Sequence, residues 1–177
     1  MICKNWCQTA LQLGFDMAVP VNIPSLKPMK AVRDMCAENR CGAYERNWMC
    51  PPACGSLEDC AAQFAGYANG ILLQTIGHME KAIDSKAYIR TEQKHLAQFR
   101  ELAEKIRAVH PQALCLGSGG CRVCKHCAYP EPCRFPEQAY GSMEGYGLLV
   151  SQVCKANGLS YYYGERTIAY TACILFD

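Results

Sequence analysis

Fourteen cysteines stand in a chain of 177 residues, and nine of them fall in two short stretches. The second stretch reads Gly119-Gly120-Cys121-Arg122-Val123-Cys124-Lys125-His126-Cys127, then Ala128-Tyr129-Pro130-Glu131-Pro132-Cys133 and Arg134-Phe135-Pro136. Its spacing is C-x2-C-x2-C-x5-C. Three thiolates at steps of three residues can wrap a loop around one face of an iron–sulfur cubane. The fourth must come from further along the chain to reach the remaining iron. Bacterial ferredoxins use a similar run, C-x2-C-x2-C-x3-C-P, although there the fourth cysteine ligates the other cluster. Glycines before Cys121 let backbone N–H groups approach the sulfides, where hydrogen bonds tune the potential. Zinc is the competing metal, because a C-x2-C knuckle with two further ligands is a common zinc arrangement. Three evenly stepped cysteines fit a cubane face better than a tetrahedral site, whose two knuckles are usually well separated.

The first stretch is Cys36-Ala37-Glu38-Asn39-Arg40-Cys41, then Cys50-Pro51-Pro52-Ala53-Cys54, then Cys60. It offers five thiols where one cluster needs four, and spacing alone does not say which stands apart. The prolines after Cys50 stiffen the loop and remove amide donors that would compete for the sulfur. Cys60 is expected one turn into a helix, whose positive N-terminal end lowers a thiolate pKa and favours an anionic cluster. Of the remaining cysteines, Cys115, Cys154 and Cys173 lie in apolar strand or helix contexts and read as core. Cys3 and Cys7 sit four apart on a possible first helical turn, too little for a third metal site.

Other chemistry finds little support. His126 lies between Cys124 and Cys127, at a position that usually faces outward in such knuckles. His78, His95 and His110 fall on a turn and a helix, where surface or core roles are ordinary. There is no nucleophile elbow, Walker loop or dinucleotide fingerprint. Gly117-Ser118-Gly119-Gly120 follows a strand but runs into cysteines instead of a helix, so it is no phosphate cradle. Radical enzymes that use S-adenosylmethionine space their cysteines C-x3-C-x2-C, and here Cys50-x3-Cys54 is followed by five residues. Tyr161 to Tyr163 and Tyr170 read as a sheet face.

The composition narrows the setting. Half of the residues are hydrophobic, enough to bury a core without covalent staples. The start, Met1-Ile2-Cys3-Lys4-Asn5-Trp6, has no apolar h-region and no small-residue cleavage site, so the cytoplasm is expected. In a reducing compartment a heavy cysteine load implies metal or redox chemistry, not disulfides. A net charge of +2 without a lysine or arginine run argues against a nucleic-acid or membrane-surface partner. No stretch approaches the roughly 18 apolar residues of a membrane span.

The elements that must position these thiols are partly legible. Residues 14–22 alternate like a strand, with Pro20 suggesting a sheet edge. A short helix follows, ending near Cys36, and residues 40–55 are irregular. Ser56 is an N-cap candidate for a helix reaching Tyr67. Gly70 to Ile76 is a buried strand. Ser85 to Val109 is the clearest helix, with Leu96, Phe99, Leu102, Ala103, Ile106 and Val109 on one stripe. Ala113 to Leu116 is a strand and Ser142 to Ala156 a helix. Residues 160–163 and 167–176 form a hairpin candidate around Gly164-Glu165. Together these predict one α+β domain over residues 1–177. A mixed, partly antiparallel sheet is flanked by helices and carries two cysteine-rich metal-binding loops, at 36–60 and 121–136.

The run CAENRCGAYERNWMCPPACGSLEDC, then GSGGCRVCKHCAYPEPCRFPEQAYGSMEGYGLLV and the ending TACILFD, resembles a cysteine-rich family of predicted metal-binding proteins, domain of unknown function 2284. The likeness runs from about Met35 to the C-terminus. It implies Cys121, Cys124, Cys127 and Cys133 as ligands in the second group. In the first it points to Cys36, Cys41, Cys50 and Cys60, with Cys54 as the alternative. It supports metal more strongly than it supports iron. The function expected is a protein with two [4Fe–4S] clusters, acting in electron transfer or as a redox accessory to a partner protein. A structural zinc module and an enzyme with an incompletely ligated, substrate-binding cluster are the alternatives.

Overall fold

The computed structural model describes residues 2–177. The elements follow in the order α1 (Ile2–Gln12), β1 (Met17–Pro20), α2 (Lys30–Ala37), α3 (Leu57–Ala65), β2 (Asn69–His78), α4 (Ser85–Val109), β3 (Leu114–Gly117), β4 (Gly141–Ser142), α5 (Val150–Ala156) and β5 (Thr167–Phe176), with a 3-10 turn at Ile23–Ser25. The strands form one sheet in the order β1-β2-β5-β3-β4. All pairings are antiparallel except β3 with β4, which run parallel. The architecture is therefore the expected α+β arrangement with a mixed sheet.

Strand residues alternate between the two faces of a sheet, and each face is covered. On one side Leu72, Cys173 and Leu175 pack with Cys60 and Phe64 of α3 and Val153 and Cys154 of α5. On the other, Ile71, Leu73, Ile174 and Phe176 pack with Cys7 and Ala10 of α1 and Phe99, Leu102 and Ile106 of α4. The two cysteine-rich stretches thus lie beside a sheet buried on both faces. Cys115, Cys154 and Cys173 are core residues, as their apolar contexts predict.

Helix α4 has the bounds its apolar stripe predicts, and Asp84 caps it by accepting from Ala87 N at 3.0 Å. Ser56 and Asp59 form a reciprocal capping box at the start of α3, which satisfies two otherwise orphaned backbone donors. Pro20 lies on β1, an edge strand paired only with β2, where its missing N–H costs no ladder bond.

Two expectations give way to the structure. Helix α5 begins at Val150, eight residues later than Ser142. Met143, Tyr146, Val150 and Val153 are all buried and recur at three and four residues, so their spacing imitates one long helix face. However, Gly147 has φ +81°, and its carbonyl accepts from Met29 N at 2.8 Å. A left-handed glycine bonded to a distant segment cannot continue a helix. The proposed hairpin is absent as well. β5 pairs along its length with β2, and the segment before it docks irregularly on buried Gln74. Tyr163 OH donates to Gln74 Oε1 at 2.6 Å, and Gln74 Nε2 donates to Ser160 O at 2.9 Å.

A buried polar chain ties α4 to β2 and to the end of α1. His95 Nδ1 lies 2.9 Å from Thr75 Oγ1, and Thr75 donates to Gln98 Oε1 at 2.9 Å. Gln98 Nε2 donates in turn to Leu13 O at 3.1 Å. Because the threonine proton is committed to Gln98, Nδ1 must carry the imidazole proton. Nε2 is then a bare acceptor, buried without a partner.

Candidate metal centre

The second cysteine loop is the connection between parallel strands β3 and β4. It brings Cys121, Cys124, Cys127 and Cys133 around one pocket, whose wall includes Asn47 and Trp48 of the first loop. Arginines staple this loop through backbone carbonyls. From α4, Arg100 Nη2 donates to Arg122 O at 2.7 Å, and Arg107 donates to Glu137 O at 2.8 Å and Ala139 O at 2.6 Å. Within the loop, Arg134 donates to the carbonyl of His126. The His126 side chain is exposed, in keeping with an outward position.

The first constellation is assembled from α2, the irregular segment after it and the first turn of α3. Cys36 ends α2 one residue before its last position, and its thiol donates to Glu144 O at 3.7 Å. Cys54 N donates to Cys50 O at 3.1 Å, and the Cys54 thiol donates to Gly145 O at 3.4 Å. Cys60 lies one turn into α3, as expected, and is 1% exposed. Its thiol donates to Cys54 O at 3.8 Å and neighbours the Cys54 sulfur. The turn after β4 therefore supplies backbone acceptors to two thiols of the first group.

The two constellations meet at Cys50. A Cβ placed on Gly120 would lie 3.3 Å from Cys50 Sγ, closer than most real Cβ contacts, so a side chain there would press on the sulfur. Burial pushes the Cys50 thiol up to about 12, and the thiols of Cys41, Cys36, Cys121 and Cys127 add to the effect. Members of both groups are thus its electrostatic neighbours. Asn47 and Trp48 lace the loops together: Asn47 Nδ2 donates to Cys121 O at 3.4 Å and Trp48 Nε1 to Glu131 O at 2.7 Å. The Trp48 ring also meets Tyr129 edge-on, with centroids 5.0 Å apart. Both contacts were invisible to local spacing.

Arg33 is the functional candidate that sequence reasoning missed. It stands three residues before Cys36 on α2, a spacing that puts both on one helix face. Its Nη2 donates to Cys60 Sγ at 3.5 Å and its Nη1 to Gly55 O at 2.8 Å. The neighbouring Cys54 thiol and the Arg33 charge hold Cys60 below the usual thiol range, against the opposing effect of burial. Burial raises Cys36, while the neighbouring Cys60 thiol and burial raise Cys54; Arg33 opposes both shifts.

All fourteen cysteines are free. Among the described residues, no three His, Cys, Asp or Glu side chains are gathered closely enough to hold a metal ion as they stand. The donor set nevertheless suits a thiophilic group: nine thiols in two adjoining sets, a thiol seated against a glycine, and a cation beside three of the sulfurs. Cys3 and Cys7 share one face of α1, and Cys3 donates to Asn69 Oδ1 at 3.4 Å, away from both constellations.

No curated protein and no solved structure matches the chain. Residues 20–176 match a single family along most of the sequence, including every cysteine of both constellations. The chain belongs to the family of predicted metal-binding proteins designated DUF2284.

Proposed function

We propose that each constellation holds one [4Fe–4S] cluster and that the protein carries electrons to or from a redox partner protein, as a carrier or accessory subunit. Cys121, Cys124, Cys127 and Cys133 would ligate one cluster. Cys36, Cys41, Cys50 and Cys60 would ligate the other, with Cys54 as the alternative to Cys60. Arg33 Nη2 donates to the Cys60 sulfur, which suits a thiolate ligand, because a coordinating thiol must be deprotonated. Bound there, the clusters supply one-electron redox chemistry.

The observation that carries this reading is Cys50, which stands among thiols of both groups and against Gly120. Two centres sharing a boundary suit the passage of electrons between them, whereas a structural zinc site needs no such neighbour. The chain's own residues fix that boundary. Asn47 and Trp48 hold the loops together, and Arg100 and Arg107 anchor the second loop to the sheet-packed α4. Fourteen free thiols support a reducing compartment, the cytoplasm.

The test is anaerobic purification followed by metal analysis, visible absorption and EPR. The reading requires brown protein with about eight irons per chain, the content of two four-iron clusters. Stoichiometric zinc without visible bands, and unfolding on chelation, would establish the structural module instead. A cluster whose spectrum shifts when a small ligand binds, and which survives loss of one first-group cysteine, would establish an incompletely ligated, substrate-binding centre.

A further inference from the structure

We infer that Arg33 is the charge-compensating donor of the first metal centre: its Nη2 bonds the Cys60 sulfur and its Nε is held ready for a sulfur of the bound group. The inference rests on the reading that Cys36, Cys41, Cys50, Cys54 and Cys60 supply a metal centre. It holds whether that metal is iron or zinc, because either thiolate complex is anionic.

Three geometric observations converge on it. Arg33 spends Nη1 on Gly55 O at 2.8 Å and Nη2 on Cys60 Sγ at 3.5 Å, which fixes the plane of the guanidinium between α2 and the turn that opens α3. Its Nε is buried and has no hydrogen-bond partner. A buried, charged N–H without an acceptor keeps its full desolvation penalty, so such a group calls for an anionic partner. Finally, Arg33 forms no salt bridge with a carboxylate among the described residues. Its neighbours are the sulfurs of Cys36, Cys54 and Cys60.

An arginine in this place does two things for an anionic centre. Its charge favours binding of the metal–thiolate complex over the neutral thiols. Its N–H groups also stabilise the more negative redox state over the less negative one, raising the reduction potential. A lysine keeps the charge but cannot donate from the Nε position or hold the planar fork. Charge and hydrogen bonding are therefore separable by substitution.

The experiment compares wild type, Arg33→Gln and Arg33→Lys as full chains purified anaerobically. Metal content, thermal melting and dye-mediated EPR redox titration are measured on each. In Arg33→Gln one of the two midpoints should move to lower potential, so that at the wild-type midpoint the reduced-to-oxidised ratio of that centre falls at least tenfold, about 59 mV for a one-electron couple. Arg33→Lys should recover part of that shift, and the other midpoint should stay in place. Full metal content with both midpoints unchanged in Arg33→Gln would overturn the inference while leaving two clusters standing. If Arg33→Gln folds but loses one centre, recovery of that centre in Arg33→Lys supports the inference and continued loss overturns it. If the wild type holds zinc, the electron-transfer reading fails, and chelator competition tests Arg33 instead. Release at least tenfold faster from Arg33→Gln supports the inference, and equal release overturns it. Wild-type protein without metal at the first constellation overturns both readings.

Discussion

His95 makes the fold pH-sensitive in a calculable way. Burial alone pulls its pKa from the ordinary 6.5 down to about 4. Protonation would place a new N–H at Nε2, which has no acceptor, beside the rings of Phe15 and Tyr170. A depressed histidine favours the folded state while neutral. Its contribution is present in full above the unfolded pKa of 6.5, is lost as pH falls from 6.5 towards 4, and changes no further below that. The gap between 6.5 and about 4, at about 1.36 kcal/mol per pH unit, is worth about 3.4 kcal/mol in total. Between pH 7.5 and 5 the loss is about 2 kcal/mol. Urea unfolding of wild type and His95→Gln at those two pH values measures it, because glutamine keeps a donor for Thr75 and does not titrate. The nearby charges of Asp16, Lys94, Glu92 and Arg122, the Tyr170 phenol and the cysteine thiols are common to both proteins and cancel. Wild type should lose about 2 kcal/mol more than the variant over this range. Parallel pH dependence in the two proteins would refute the buried neutral imidazole.

Further outcomes follow from the site and its supports. Gly120→Ala presses a methyl group against Cys50 Sγ, now 3.3 Å from the Cβ position, and should change the metal spectrum or content while circular dichroism stays native. Cys115→Ala should leave metal content at the wild-type value, because that thiol is buried in the sheet core apart from both constellations; metal loss in the folded variant would contradict this assignment. Ser56→Ala removes the hydroxyl that accepts from Asp59 N at 3.0 Å, and chemical denaturation should show a loss of about 1 kcal/mol. Arg107→Ala releases the carbonyls of Glu137 and Ala139, so limited proteolysis should cut the second loop faster than in wild type.

The parts of this protein that could be read from sequence are those whose causes are local. The stripe from Leu96 to Ile106 needs only its own periodicity, and Ser56 with Asp59 needs only three residues of chain. The error over residues 142–149 has a long-range cause: Met143, Tyr146, Val150 and Val153 repeat like a helix, but Gly147 is committed to Met29, 118 residues away. The aromatic tail similarly suggested a hairpin, while β5 pairs with a strand about a hundred residues earlier and Gln74 captures the tyrosine segment. Spacing brought out the nine thiols as two groups. It could not reveal that Cys50 joins them, that Gly120 makes room for it, or that Arg33 stands among the first group. Each of those relations depends on where the β3-to-β4 connection and α2 come to rest.

That connection has one more consequence. β4 is only Gly141–Ser142, and it is what covers the outer side of β3. Its place is fixed from the N-terminal side by the cysteine loop, so loosening the loop also uncovers a row of backbone donors and acceptors on β3. An open strand edge recruits strands from other molecules. Demetallated or oxidised protein should therefore self-associate through β3, and this would link loss of the metal directly to loss of the molecule.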